Sequence, residues 1–370
     1  MKKKVLFLIP TLMNGGAERV LLNLVNNLDY DTFDVTVKTI MNVGRYQHML
    51  DSHIHYEWIF PNLRRASRLY FNLFSPEYLY NKYVGDKYDI VVSYLEGMTA
   101  RIISGCKNPS TKKISWIHIE LNTKRDFSIG FRSYKEAQRC YNSFDEIACV
   151  SASVKKSFEN ISGICDKTKV IYNTNDTYDI LKKKDEVVDD FFPSADVYNI
   201  CSVAKVVKTK GYDRLARIHK KLLEAGVNNH VYIIGTGNEQ KSIEDFLQKN
   251  GLISSFTFLG YKENPYKYIS KCDLYVCSSL REGFSTAVTE ALVVGLPVVS
   301  TNCSGAYELL GENNEYGIVT DNNEDALYNG IYKMLTEEGL LEMYKKKSTQ
   351  RAAFFSTKNT VKSASQLLLA

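Results

Sequence analysis

The chain has 370 residues, 44% of them hydrophobic and 24% charged, which suits a globular protein with two cores rather than a disordered chain. No run of about 18 apolar residues occurs, so no helix is expected to span a membrane. The formal charge of +5 is modest, but its distribution is uneven: residues 1–175 hold 24 Lys and Arg against 17 Asp and Glu, whereas the other 195 hold 23 against 25.

The opening "MKKKVLFLIPTLMNGG" has a short apolar stretch broken by Pro10 and no small-residue cleavage site. It reads as a first buried strand rather than a secretory leader. Strand-length apolar runs then follow in order: "VTVKTI", "DIVVSYL", "ISWIHI", "EIACVS" and "KVIYN" in the first half, and "YNICSVA", "HVYIIGTG", "FTFLG", "DLYVCSS" and "PVVST" in the second. Helix-length amphipathic segments separate them, the pattern of parallel sheets covered on both faces. Each half therefore reads as a doubly wound α/β unit, with ligands expected in a cleft at the carboxyl ends of the strands. Residues 1–175 form the first domain, the charged stretch 176–197 with Pro193 a surface linker, and 198–350 the second domain. A basic helical tail, 351–370, returns to the first. The eight cysteines, at 106, 140, 149, 165, 201, 272, 277 and 303, show no Cys-x-x-Cys spacing. They read as buried free thiols of a protein in a reducing cytoplasm.

The positive excess concentrates in "STKKISWIHIELNTKRDFSIGFRSYKEAQR", and aromatic residues accompany Arg64, Arg65 and Arg68 in "PNLRRASRLYFNLFSPEYLYNKY". A basic, aromatic surface favours polyanions: an anionic lipid leaflet, a lipid pyrophosphate or nucleic acid; an ordinary solvated surface fits equally well. In "NGGAERVLLNL", Gly15 and Gly16 would let a ligand approach the backbone where a helix begins. "IIGTGNEQ" has Gly235 and Gly237 but Gln240 in place of a third glycine. Neither is a dinucleotide fingerprint, and no Walker A sequence exists; either glycine pair serves as well for a tight turn.

The second half is richer. In "CSVAKVVKTKGYDRL", Lys205 follows a strand end and Lys210 precedes a helix, so the two can neutralise a diphosphate; taken alone, the segment fits two solvent lysines of a polar loop at least as well. "SSLREGFSTAVTEALVVGLPVVST" puts the amides of Phe284, Ser285 and Thr286 at a helix amino terminus, where the dipole favours phosphate. Glu282, in the turn, can accept sugar hydroxyls, and Glu290, in the helix, can take both hydroxyls of a ribose. Two acids beside a phosphate site need cations between them, which the lysines supply. This is the constellation of a nucleotide-sugar site.

These residues also carry a resemblance. "EGFSTAVTEALVVGLPVVST" resembles the E-x7-E segment of retaining glycosyltransferases of family four, which have the GT-B fold. "NGGAERV", "SVAKVVKTKGYDRL", "VYIIGTGNEQ", "FLGYKENPYKYISKCDLYVCSSLREGFS" and "SGAYELL" align with further segments of that family in order. The resemblance implies that Glu290 binds the ribose, Glu282 the donor sugar and Lys210 the phosphates. It puts His118 near the transferred sugar, Gly16 at the diphosphate and Tyr261 at the base. The family's usual arginine is replaced by Lys205, which keeps the charge but not the planar fork, and "YNTND" departs from the common pattern around Asn173.

The expected protein is thus a retaining, metal-independent hexosyltransferase. It would move a hexose or N-acetylhexosamine from a nucleoside diphosphate sugar, a UDP-sugar first, to a lipid-linked glycan acceptor in bacterial surface polysaccharide or glycoconjugate synthesis. No Asp-x-Asp stands at a strand end, no cofactor or nucleic-acid partner is expected, and the protein would act in the cytoplasm, peripheral on the membrane. Front-side attack and a covalent intermediate both fit. A nucleotide-sugar epimerase of the same fold and a silent donor-binding subunit are the rival readings.

Overall fold

A computed structural model describes residues 1–13, 15–62 and 67–370, with the backbone alone for 67–69. Arg64, Arg65 and Asn14 therefore lie outside the described residues, as does the side chain of Arg68. The chain divides into two compact units, Met1–Asn175 with Thr357–Ala370, and Asp176–Ser356.

Among its described residues the first unit holds seven parallel strands: β1 (Lys3–Ile9), β2 (Phe33–Met41), β3 (His55–Phe60), β4 (Ile90–Ser93), β5 (Lys112–Ile117), β6 (Glu146–Cys149) and β7 (Thr168–Val170). Their order is β3-β2-β1-β4-β5-β6-β7. The second unit repeats the winding with β8 (Tyr198–Val203), β9 (Asn229–Ile234), β10 (Phe256–Gly260), β11 (Leu274–Cys277), β12 (Val298–Thr301) and β13 (Ile318–Thr320), ordered β10-β9-β8-β11-β12-β13. Every neighbouring pair is parallel. Val5 to Ile9 of β1 are fully buried, because helices cover both faces and leave no side for polar residues. In each unit the winding reverses beside the first strand, so the loops after β1 and β4, and after β8 and β11, flank a switch point.

Two strands had no counterpart in the apolar runs. β3 is a half-exposed edge strand carrying Glu57, and β13 is three residues long. The stretch read as a linker carries a helix, Thr177–Lys184, whose first turn is capped by Asp176 accepting from the Asp179 amide. Ile180 is buried where this helix meets helices Tyr266–Ile269 and Thr286–Val294. Phe191 then packs on Tyr232 and Tyr268, so most of 176–197 is built into the second unit. The tail is likewise split: helix Leu340–Phe354 belongs to the second unit and helix Thr357–Leu369 to the first. Thr357 Oγ1 donates to the Asn175 carbonyl at 2.9 Å, and Lys112 Nζ to the Leu367 carbonyl at 2.6 Å.

All eight cysteines are free, but Cys165 is exposed and Cys272 half-buried, so burial holds for six of them. Among the described residues no helix is long and apolar enough to cross a membrane.

Candidate functional site

In the second unit the loop after β8, which carries Lys205 and Lys210, is wedged from one side by the exit of β9. A Cβ on Gly235 would collide with the Ala204 carbonyl, and one on Gly237 with the Val206 carbonyl. The pair in "IIGTGNEQ" thus serves backbone packing. On the other side the loop crosses the loop after β11 at Gly211, which has φ +66° and no room for a Cβ against the Ser278 carbonyl. The crossing is stitched by Ser278 Oγ donating to the Lys210 carbonyl at 2.8 Å and the Leu280 amide to the Thr209 carbonyl at 2.8 Å.

This brings Lys210 and Glu282 together. Lys210 Nζ lies 2.6 Å from Glu282 Oε1, and Ser279 Oγ donates to the same oxygen at 2.6 Å. The Glu282 side chain is 14% exposed and that of Lys210 23%. The turn that delivers Glu282 is pinned from beneath. Arg214, buried in helix Tyr212–Glu224, donates to the carbonyls of Ser278 and Ser279 and to Asn322 Oδ1. Thr301 Oγ1, from the end of β12, donates to the Ser279 carbonyl at 2.6 Å. Neither Arg214, Thr301 nor Ser279 was marked by the sequence; each acts through a contact formed only in the fold.

Helix Thr286–Val294 begins four residues after Glu282. Ser285 is its N-cap, the hydroxyl accepting from the Val288 amide. Phe284 is buried against Phe355, and Gly305, at φ +77°, leaves no space for a Cβ beside the Phe284 ring. Residues 284–286 are therefore anchored by side chain and cap, while the first-turn amides have no intrahelical acceptor. Glu290 stands one turn past Thr286, on the same face, and the Tyr266 hydroxyl donates to its Oε1 at 3.2 Å. The two acids thus bracket the start of one helix. Lys205 and Tyr261, by contrast, are exposed, and Lys205 has no ion pair among the described residues.

The first unit holds the remaining predicted residues. Gly15 is the N-cap of helix Gly16–Asn26; a Cβ there would meet the Glu18 carboxylate, whereas Gly16 has open space around it. His118 is the first residue past β5, not within it, and only 7% exposed. Its amide donates to Glu96 Oε2 at 3.1 Å and its ring lies 4.9 Å from that of Tyr94. Burial pushes the imidazole pKa down to about 3, so the ring is neutral at physiological pH. Among the described residues its Nε2 and the Tyr94 hydroxyl, both buried, have no hydrogen-bond partner. The loops after β4 and β5 are pressed together by two left-handed glycines: a Cβ on Gly97 would come 2.7 Å from the Ile129 carbonyl, and one on Gly130 would clash with the Met98 amide. Glu96 and Tyr94 were not anticipated; only the strand order puts them beside His118. The one Asp-x-Asp of the chain, Asp29-Tyr30-Asp31, precedes β2 at the opposite end of this sheet. There the Asp29 carboxylate caps its own turn.

Comparison with known proteins agrees with this architecture. The model of Glycosyltransferase Family 4 matches residues 14–178 and that of Glycosyl transferases group 1 matches 184–351. A Campylobacter jejuni N-acetylgalactosamine-N,N'-diacetylbacillosaminyl-diphospho-undecaprenol 4-alpha-N-acetylgalactosaminyltransferase is 30% identical over 215 residues, 57% of this chain and 56% of that protein. The chain therefore spans about half the length of that relative. A Haemophilus influenzae glycosyltransferase, uncharacterized, is 22% identical over 90% of both chains. Crystal structures of Anabaena HepE in complex with UDP and with UDP-glucose superpose with TM-scores of 0.78 and 0.74 at 19% and 18% identity, covering 100% and 99% of both chains. With two family models adjoining along nearly its whole length and two parallel sheets wound in the same order, the chain belongs to glycosyltransferase family four and has the GT-B fold.

Proposed function

We propose that the protein transfers a hexose or N-acetylhexosamine, with retention, from a UDP-sugar to a glycan acceptor. The observation that carries this reading is the Lys210–Glu282–Ser279 cluster at the start of helix Thr286–Val294. An ammonium has three protons; with one on Glu282 Oε1, two remain for phosphate oxygens. Lys210 thus bridges carboxylate and diphosphate and removes their repulsion. Glu282 Oε1 is taken by Lys210 and Ser279, which leaves Oε2 to accept a hydroxyl of the donor sugar. The first-turn amides at Ser285 and Thr286 and the charge of Lys205 complete the diphosphate grip, and Glu290 takes the ribose diol. Positive charge from the chain at this position supports a metal-independent reaction.

As the bond between C1 of the sugar and the β-phosphate oxygen breaks, its electrons pass to that oxygen, and Lys210 and the helix amides stabilise the charge. The acceptor oxygen bonds to C1 from the same face and its proton passes to the departing phosphate oxygen. His118, with a pKa of about 3, is too weak a base for that proton at neutral pH and serves as a neutral hydrogen-bonding group. This favours front-side attack over a route that needs a side-chain base.

A lipid-linked acceptor, in bacterial surface polysaccharide or glycoconjugate synthesis, is supported by the diphospho-undecaprenol substrate in the name of the Campylobacter relative. A peripheral position on the cytoplasmic membrane face is supported by Leu73, 75% exposed, and Tyr78, 44% exposed, beside Lys82. Flotation with anionic and neutral liposomes tests the last point, equal recovery counting against it. Incubation with a panel of labelled UDP-sugars tests the reaction: transfer or slow hydrolysis supports it, while isomerisation, or binding without turnover, refutes it.

A further inference from the structure

We propose that Tyr266 is a positioning residue that orients Glu290 for ribose recognition, and that the contrast between ribose and 2′-deoxyribose in the donor depends on its hydroxyl. The inference rests on the ribose reading of Glu290 given above. A glutamate on a helix surface has three rotatable bonds, and a two-point grip on a diol requires its carboxylate plane to be held before the ligand arrives. The Tyr266 hydroxyl supplies that hold by donating to Glu290 Oε1 at 3.2 Å, a hydrogen bond strengthened by the acceptor's charge.

The tyrosine is itself immobilised. It is 5% exposed and opens helix Tyr266–Ile269, where Asn264 Oδ1 accepts from its amide at 3.0 Å. Asn264 Nδ2 donates to the Lys183 carbonyl at 2.8 Å and to Glu186 Oε2 at 2.9 Å. Helix Thr177–Lys184, which provides that carbonyl, packs in turn on helix Thr286–Val294, which carries Glu290. Three helices close a frame in which the phenol and the carboxylate face each other from opposite members. A ring retained for packing alone would need no hydroxyl.

Titration calorimetry with UDP and with 2′-deoxy-UDP on the full-length wild type, Tyr266→Phe, Glu290→Gln and the double variant tests this. Phe keeps the ring and deletes only the donor. Tyr266→Phe is expected to bind UDP roughly tenfold more weakly, the usual worth of a hydrogen bond to a charged group. The ratio of UDP to 2′-deoxy-UDP affinity should fall toward that of Glu290→Gln, and the double variant should be no worse than Glu290→Gln alone. If Glu290→Gln weakens UDP binding while Tyr266→Phe keeps the wild-type ratio, the positioning role is refuted and the ribose reading stands. If Glu290→Gln binds UDP as the wild type does, the ribose reading falls and the inference with it. The ratio decides regardless of any change in melting temperature, because a merely structural loss would weaken both nucleotides alike.

Discussion

The two units wind their strands in the same order, yet they hold their candidate residues in opposite ways. Around Glu282 the second unit directs side-chain donors at backbone carbonyls, with Arg214 and Thr301 fixing the turn and Lys210 and Ser279 fixing the carboxylate. Around His118 the first unit relies on burial: among the described residues an imidazole nitrogen and a phenol oxygen are buried without partners, and two glycines press the loops together. The second unit's cluster holds a paired cation and carboxylate at a loop crossing, whereas the first unit's buries a neutral imidazole; on the proposed reading the former grips the diphosphate.

The largest test of this contrast is Glu282→Ala. Turnover should fall by about 10²- to 10³-fold, the scale of losing one preorganised electrostatic contact. UDP affinity should stay level or rise, since Lys210 is released to the phosphates. An equal loss in both would show that Glu282 is a nucleotide contact and that the division of roles between the two acids is wrong. Next in size is Gly211→Ala, which puts a Cβ into the Ser278 carbonyl at a left-handed φ. It should cost roughly 2 kcal/mol of stability and weaken UDP binding as well, because Lys210 and Glu282 are set by that crossing. Urea unfolding followed by UDP titration measures both; an undisturbed UDP affinity would mean that the crossing does not position the site.

The same contrast decides what could be read from the sequence. Lys210, Glu282 and Glu290 stand out in the sequence as charged residues in a strand-end loop, a turn and a helix, and the fold brings Lys210 and Glu282 into contact, with Glu290 two turns further on. Arg214 and Tyr266 do not stand out, since in a helix pattern each looks like an ordinary amphipathic position and its partner is dozens of residues away. Glu96 lies 22 positions before His118 in sequence and reaches its amide only because β4 and β5 are neighbours. The helix Thr177–Lys184 did leave a signal, Asp176 three residues before Asp179, but its three closing lysines masked a buried face of a single residue, Ile180. β1 and β8, buried on both faces, were plain; β3, polar on one side, was not.

The desolvation of His118 predicts a pH effect of smaller size. Its folded pKa, about 3, is below the unfolded value near 6.5, so the unfolded chain alone takes up the proton as pH falls. Stability is complete above about pH 6.5 and declines below it, by up to about 1.4 kcal/mol per unit at full slope, until pH approaches 3. Between pH 7.5 and 5.5 the loss assignable to this residue is about 1.4 kcal/mol. His118→Phe should remove that part and leave the contributions of His219 and His230, whose pKa values burial also lowers. Urea midpoints at the two pH values check it; an unchanged slope would mean that water reaches the ring and the first region is not dry.

The smallest effect is expected at Lys205. It stands at the same loop as Lys210 but is exposed and has no ion pair among the described residues. A solvated, mobile ammonium gains little from one phosphate, on the order of 1 kcal/mol or less, and salt screens it. Lys205→Ala should weaken UDP binding less than about fivefold, with the difference vanishing at high ionic strength. Lys210→Ala, which also strands the shielded Glu282 carboxylate, should cost far more at any salt. Lys205→Arg restores a planar fork suited to two phosphate oxygens and should tighten UDP binding. Should Lys205→Ala match Lys210→Ala in size and salt dependence, the grip would be shared equally by the two lysines. The hydrogen-bonded cluster at Glu282 would then be no better organised for phosphate than the open loop beside it.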